Sequence, residues 1–201
     1  MAMDVAGQAL EIPMRHIRPT LATLTGTLLT LTLTGITHAA PAHAAEIIII
    51  DGYTETVKES AGIPVACPTN QVLLGRAHSG DENGSTTYYC GLILIDGQQV
   101  RVSAPSWSSQ QRESNSFFAA PPNEVLVGRQ HSGDENGPTR YATASMSVWG
   151  RTVELTSYRW SPSQRESNSH SKAGDYEVMT GRQHSGDENG QTRYQYARIS
   201  D

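Results

Sequence analysis

The phrase "GRQHSGDENG" stands at residues 128–137 and again, letter for letter, at 181–190, and "GRAHSGDENG" stands at 75–84. Gly75, Gly128 and Gly181 are therefore 53 residues apart in both intervals. A constant period of this size constrains the chain to one structural unit used three times. The unit is larger than the phrase, because "QRESNS" at 111–116 recurs at 164–169 and Trp107 recurs as Trp160, all at the same offset. In the first copy "VKESAG" at 57–62 stands for "QRESNS" and Tyr53 for Trp107, if one residue is deleted between this stretch and the phrase to align them.

The residues ahead of the repeats have the three parts of a secretory signal. Arg15 and Arg18 form a positive end, Leu21 to Ile36 an apolar stretch, and Ala42-His43-Ala44 an A-x-A cleavage site. Residues 1–44 are thus expected to be removed, with 1–13, ahead of Met14, an over-extended start. The mature chain then runs over 45–201, close to three periods and so one domain, long enough for a real core. Of 15 Lys and Arg and 20 Asp and Glu, the leader takes two of each, so the mature charge stays at -5. That balance argues against nucleic acid or insertion into an anionic membrane, and points to an extracellular destination with other partners.

Cys67 and Cys90 support an oxidising compartment. One period on they are replaced by Ala120 and Thr143, and two periods on by Ala173 and Tyr196. Two cysteines that vanish together are expected to be partners, so a Cys67–Cys90 disulfide is predicted.

Short runs such as "QVLLGR", "LILIDGQQVRVS" and "SMSVWGRTVELTS", broken by Gly, Asn, Asp and Pro, read as strands, about four in each copy. Asp96-Gly97 and Trp149-Gly150 predict tight hairpins, and Asn83-Gly84, Asn136-Gly137 and Asn189-Gly190 a second turn with positive φ. The expected fold is all-β and pseudo-threefold, a β-prism of three repeats of about 53 residues, with a β-trefoil as the alternative. The last copy stops at "YARISD", and the β-prone "EIIII" at the mature N-terminus is expected to pair with it and close the ring.

The stretch "CPTNQVLLGRAHSGDENGSTTYYC" resembles the repeat of dermatopontin-like proteins, with its Cys-Pro opening, Q-V-aliphatic strand, acidic loop and aromatic strand ending in Cys. The three-repeat layout is similar to that of vitelline membrane outer layer proteins. The resemblance implies a secreted matrix or coat protein, with a sugar-binding role among its possible activities.

The copies have drifted at apolar positions, as in Val72-Leu73-Leu74 against Val125-Leu126-Val127 and Val178-Met179-Thr180, while the polar letters of the phrase have not. Two explanations stand. In one, Arg76, His78 and Asp81 and their repeat mates brace a Gly-rich loop, the Arg donating to the Asp carboxylate and to backbone. In the other, the loops hold a small polar ligand such as a sugar, through His78, Asp81, Glu82 and Asn83, His131, Asp134, Glu135 and Asn136, and His184, Asp187, Glu188 and Asn189. These side chains donate and accept, while Tyr88, Tyr141, Tyr194, Trp107 or Trp160 would offer an apolar face. Three such sites on one surface would add avidity. No cofactor is expected; calcium has hard oxygen ligands in "GDENG" but lacks the usual spacing, and zinc lacks a second His or Cys. No catalytic residue is expected either, since three equal copies offer no single acid/base pair and His170 reads as a surface residue. Trp149, without an aromatic repeat mate, reads as local packing. The functional expectation is a secreted, lectin-like protein binding cell-surface carbohydrate. The alternative is a structural or adaptor subunit that binds a secreted protein partner, in one form through its N-terminal strand.

Overall fold

Strand follows strand along the chain because apolar residues alternate with polar ones and Gly, Asn or Asp interrupts each run. The computed structural model describes residues 44–200, so the secretory segment expected over 1–44 lies outside the described residues apart from its last. There is no helix among the described residues, and the all-β expectation holds. The first stretch contributes β1 (Ile47–Lys58), β2 (Val65–Ala66), β3 (Gln71–Ser79), β4 (Ser85–Ile95) and β5 (Gln98–Gln99). The second contributes β6 (Arg101–Val102), β7 (Ser106–Trp107), β8 (Gln111–Arg112), β9 (Asn115–Ala119), β10 (Glu124–His131), β11 (Pro138–Val148) and β12 (Arg151–Thr152). The third contributes β13 (Glu154–Trp160), β14 (Gln164–Arg165), β15 (Asn168–Lys172), β16 (Glu177–Ser185) and β17 (Gln191–Ser200).

These strands form three antiparallel sheets. In one the order is β1-β4-β3-β15; in the second β10 and β11 are bordered by β2 and by β6, β7, β8 and β12; in the third the order is β13-β17-β16-β9. Each sheet is built on a hairpin that carries the repeated phrase, β3–β4, β10–β11 or β16–β17. A strand borrowed from elsewhere in the chain flanks the hairpin's first member.

The expected closure by "EIIII" is corrected here. β1 pairs with β4, Ile47 opposite Ile95, while the last strand β17 is bordered by β13, Leu155 opposite Ile199. After the Asp96-Gly97 turn, Gln98-Gln99 runs back along β4, Gln98 opposite Ile95, and Arg101-Val102 then crosses to the next sheet, Val102 opposite Met146. β1 is thus the counterpart of 101–112 and 154–165, and it borders the first sheet as those segments border the second and third. The last repeat is joined to the first by β15 instead, which runs antiparallel to β3 with Lys172 opposite Gly75.

One irregularity decides where side chains point. A bulge interrupts the pairing between Leu73 and Gly75, between Leu126 and Gly128, and between Met179 and Gly181. An extra residue in a strand exchanges its two faces beyond that point. Leu73 and Arg76 have opposite parity in sequence, yet both face the same interior space, together with Leu126, Arg129, Met179 and Arg182. Val72 and Leu74 go the other way, into a separate apolar cluster with Ile93, Val125, Val127 and Val178.

The hairpin turns form as expected. Asp96 and Gly97 have φ of 47° and 74°, and Trp149 and Gly150 have 48° and 74°, the left-handed pair of a tight hairpin. Trp149 is 60% exposed at its tip, which corrects its reading as local packing: a two-residue turn leaves its side chain no neighbouring strand to lie on.

The Cys67–Cys90 bond is present and links the segment after β2 to β4. It closes a loop with a sequence separation of 23 residues, so removal by the double change Cys67→Ser and Cys90→Ser is expected to cost roughly 3 kcal/mol in the chain-entropy account. Urea unfolding with and without reductant measures this directly, and equal midpoints would contradict it.

Candidate functional site: a buried ion ring beneath three acidic loops

Past the bulge, the phrase sends its Arg and His inward and its acidic letters outward. Arg76, Arg129 and Arg182 are among the most completely buried side chains of the protein. A buried guanidinium needs acceptors, and the Glu of the repeated "ES" supplies them. Arg76 Nη2 lies 3.0 Å from Glu59 Oε2 and its Nη1 2.8 Å from Glu166 Oε1. Arg129 Nη1 lies 2.6 Å from Glu59 Oε1 and its Nη2 2.8 Å from Glu113 Oε1. Arg182 Nη1 lies 2.6 Å from Glu113 Oε1 and its Nη2 2.9 Å from Glu166 Oε1. The six side chains therefore alternate in a closed ring of three cations and three anions.

Tyrosine hydroxyls support the ring. Arg76 Nη1 donates to Tyr194 Oη at 3.0 Å, Arg129 Nη1 to Tyr88 Oη at 2.9 Å, and Arg182 Nη1 to Tyr141 Oη at 3.3 Å. These tyrosines are buried, so they offer no face to a ligand. Trp107 and Trp160 lie half-buried under Arg140 and Arg193, whose guanidinium carbons sit 4.8 and 5.0 Å from the ring centres.

The electrostatics follow from burial and pairing together. Burial pushes the carboxyl of Glu113 up, but Arg129 and Arg182 outweigh it and hold it well below the usual carboxylate range. Glu166 is held at about 2 by Arg182 and Arg76 against the same burial, and Glu59 is likewise lowered by Arg129 and Arg76. Burial alone would lower the arginines; the glutamates hold them above the ordinary value. His78, His131 and His184 move down, first through burial and then through the neighbouring arginines, with the glutamates opposing in part.

The histidines sit just outside the ring. Their Nδ1 atoms lie 3.9, 3.8 and 3.7 Å from Oε2 of Glu59, Glu113 and Glu166. Their Nε2 atoms face the carbonyls of Gly80, Gly133 and Gly186 at 3.1, 3.0 and 3.1 Å. Those same glycines carry the positive φ of the loop, at 105°, 86° and 101°, which corrects the expectation that the Asn-Gly pairs would. The second loop glycine is fixed by space: a Cβ on Gly137 would stand 1.9 Å from the Ser132 carbonyl oxygen.

The acidic letters then shape the loop and its rim. Oδ1 of Asp81, Asp134 and Asp187 accepts from the backbone N–H of Asn83, Asn136 and Asn189 at 2.8, 2.9 and 2.9 Å, an Asx turn in each loop. The Asn side chains donate to Glu82, Glu135 and Glu188 at 3.2, 2.9 and 3.0 Å. The carbonyls of these three Glu accept from the backbone of Ser60, Ser114 and Ser167, so each loop is clipped to a segment holding a ring glutamate.

The brace expected from sequence is therefore present with a different partner. Each Arg pairs with the Glu of "ES" in its own copy and with that of a neighbouring copy, not with the Asp of its own loop. Of the twelve candidate ligand residues, the three His are buried beneath the loops, the three Asp and three Asn are exposed, and the three Glu are half-buried. The loops converge: one cavity of about 30 Å³ is lined by the ring glutamates, the three histidines, Asp81, Glu82, Glu135, Asp187 and Glu188. Glu59, Glu113 and Glu166 were not candidates from sequence, although the Glu in "VKES" and "QRES" is the one charged letter other than a basic one that all three copies keep there. One carboxylate oxygen from each comes within 4.8 Å of the others, a grouping able to hold a cation. His170, read as a surface residue, is exposed and packs edge-on against Tyr89 with ring centres 5.9 Å apart. No family model matches this chain, and no curated protein or solved structure matches it significantly.

Proposed function

We propose that this chain is an exported, non-catalytic binding module, a pseudo-threefold β-prism that recognises surface carbohydrate through the rim of its three GDENG loops. The observation that supports this is convergence: loops 53 residues apart in sequence open onto one cavity, with their carboxylates and Asn amides outward. The inward arginines are engaged with the ring glutamates, so the rim and the acceptors directly beneath it are what remains for a ligand. A polyhydroxylated ligand matches a rim of paired acceptors and donors. The geometry favours one composite site over three separate ones, and since no Tyr, Trp or Phe lines this cavity, recognition there rests on hydrogen bonds. The disulfide, and the likeness of the repeat to dermatopontin-like proteins, agree with an extracellular setting.

A glycan array with the mature protein identifies the ligand, and the change Glu135→Gln tests the site. That residue's side chain bonds only Asn136 among the loop groups, so the fold is expected to persist with an unchanged melting temperature. Affinity is expected to fall about tenfold, the size of one hydrogen bond to a charged acceptor, with one ligand bound per chain. Undiminished binding in a variant with Glu82, Glu135 and Glu188 all changed to Gln would remove the rim from the function.

One observation favours the adaptor as a second reading. β1 is a sheet edge with Ile48 and Ile50 exposed at 39% and 43%, an apolar border that a partner strand would cover. The paired change Ile48→Lys and Ile50→Lys, assayed by pull-down from the secreted fraction, separates the two: it abolishes capture under the adaptor reading and leaves glycan binding intact under the first.

A further inference from the structure

Every polar side-chain atom that faces the cavity from the ring side is an acceptor. Glu113 Oε2, Glu166 Oε2, His131 Nδ1 and His184 Nδ1 are buried without a hydrogen-bond partner. The glutamate side chains are 6% and 7% exposed and the histidines 2%. With Nε2–H donating to the Gly133 and Gly186 carbonyls, a neutral imidazole turns a bare lone pair at Nδ1 toward a carboxylate oxygen. Acceptor meets acceptor in both copies, and no arginine lines the cavity to answer them, the guanidinium groups facing the carboxylates from the other side of the ring.

We infer that the cavity takes a primary ammonium group, R–NH3+, carried by the ligand of the acidic rim. The inference rests on the rim being the binding surface. Three features select this chemistry. The cavity, about 30 Å³, has room for one water-sized group. Three oxygens that all lie within 4.8 Å of one another allow a central group to sit at up to about 2.8 Å from each, which admits a charge-assisted N–H···O bond. Zinc at about 2.0–2.2 Å and calcium at about 2.3–2.6 Å are the competitors for the same oxygens. An ammonium group also brings three N–H donors, one for each carboxylate. The ring itself is neutral, while the loops present carboxylates at its mouth, so the field draws a cation in. For the carbohydrate reading, this specifies an amino sugar with a free amine.

Calorimetry and NMR on the mature wild-type protein test it without relying on any variant's folding. 15N-methylammonium is expected to bind at one equivalent, with N–H protons slowed in exchange, and tetramethylammonium at equal ionic strength is expected not to compete. Glucosamine is expected to bind at least tenfold more tightly than N-acetylglucosamine. Equal competition by tetramethylammonium would reduce the site to diffuse acidity and overturn the inference, as would tight binding of Zn2+ or Ca2+ that methylammonium fails to displace. If N-acetylglucosamine binds as well as glucosamine and Glu135→Gln weakens both, the rim reading survives and the ammonium site falls. If Nα-acetyl-lysine methylamide binds more tightly than glucosamine, the ammonium site stands and the carbohydrate reading falls.

Discussion

Changing Arg129 to Met is expected to remove about 3–5 kcal/mol of stability, the range for breaking a buried ion pair from one side, and thus a large share of a typical domain's margin of about 5–15 kcal/mol. Its guanidinium holds Glu59 and Glu113 at 2.6 and 2.8 Å and donates to Tyr88. Met fills a similar space but leaves two buried carboxylates each short of a cation. Lys is not expected to rescue, because a single ammonium cannot bridge two carboxylates as the planar fork does. Replacing all six ring members by apolar residues of like volume is expected to cost less than the single change, since no charge is then left unpaired. Urea unfolding of the three proteins decides it. A loss below about 1 kcal/mol for Arg129→Met would mean that the ring is not closed as described.

The second large effect is acid sensitivity, and its sign follows from the direction of each shift. The three histidines titrate below their ordinary value in the folded protein. Between the folded and unfolded values the unfolded chain binds more protons, so stability falls as pH drops below about 6.5. The three ring glutamates are also lowered, so their contribution is fully present above about 4.5 and is lost as pH falls through the folded values. Glu166, held at about 2, accounts for about 3 kcal/mol of that loss by itself. Both groups act in the same direction, and unfolding free energy is expected to decline in two stages, first as pH falls below about 6.5 and then more steeply below about 4.5. Urea midpoints at a series of pH values measure it. A flat profile from pH 7 to 3 would contradict both the buried neutral histidines and the paired glutamates.

The drift among copies was an informative signal, because it separated letters that fill space from letters that meet a partner. Val72, Val125 and Val178 are equally buried, but Leu74, Val127 and Thr180 differ in size and polarity without changing the register of their strands. Arg, His, Asp and Asn have no such freedom. Reading the phrase as a brace or as a ligand loop was a choice between two halves of one device: Arg and His turn inward, and Asp, Glu and Asn turn outward. The Arg–Asp pairing assumed within one loop failed because the bulge carries the Arg away from its own loop and toward the centre.

The strands, the tight hairpins at Asp96-Gly97 and Trp149-Gly150, and the Cys67–Cys90 bond were determined by the sequence alone, since alternation, turn residues and the joint loss of two cysteines are local or countable signals. Which strand borders which hairpin, and which glutamate answers which arginine, was decided only by the tertiary structure. Arg129 and Glu59 are 70 residues apart, and Arg182 and Glu113 are 69, separations that match no local period. They meet because a one-residue bulge swaps the face of each phrase-bearing strand and because β15 returns to β3 to bring the three sheets around one centre. Each buried guanidinium takes one carboxylate from its own copy and one from a neighbouring copy, and the second is in place only once the chain has closed.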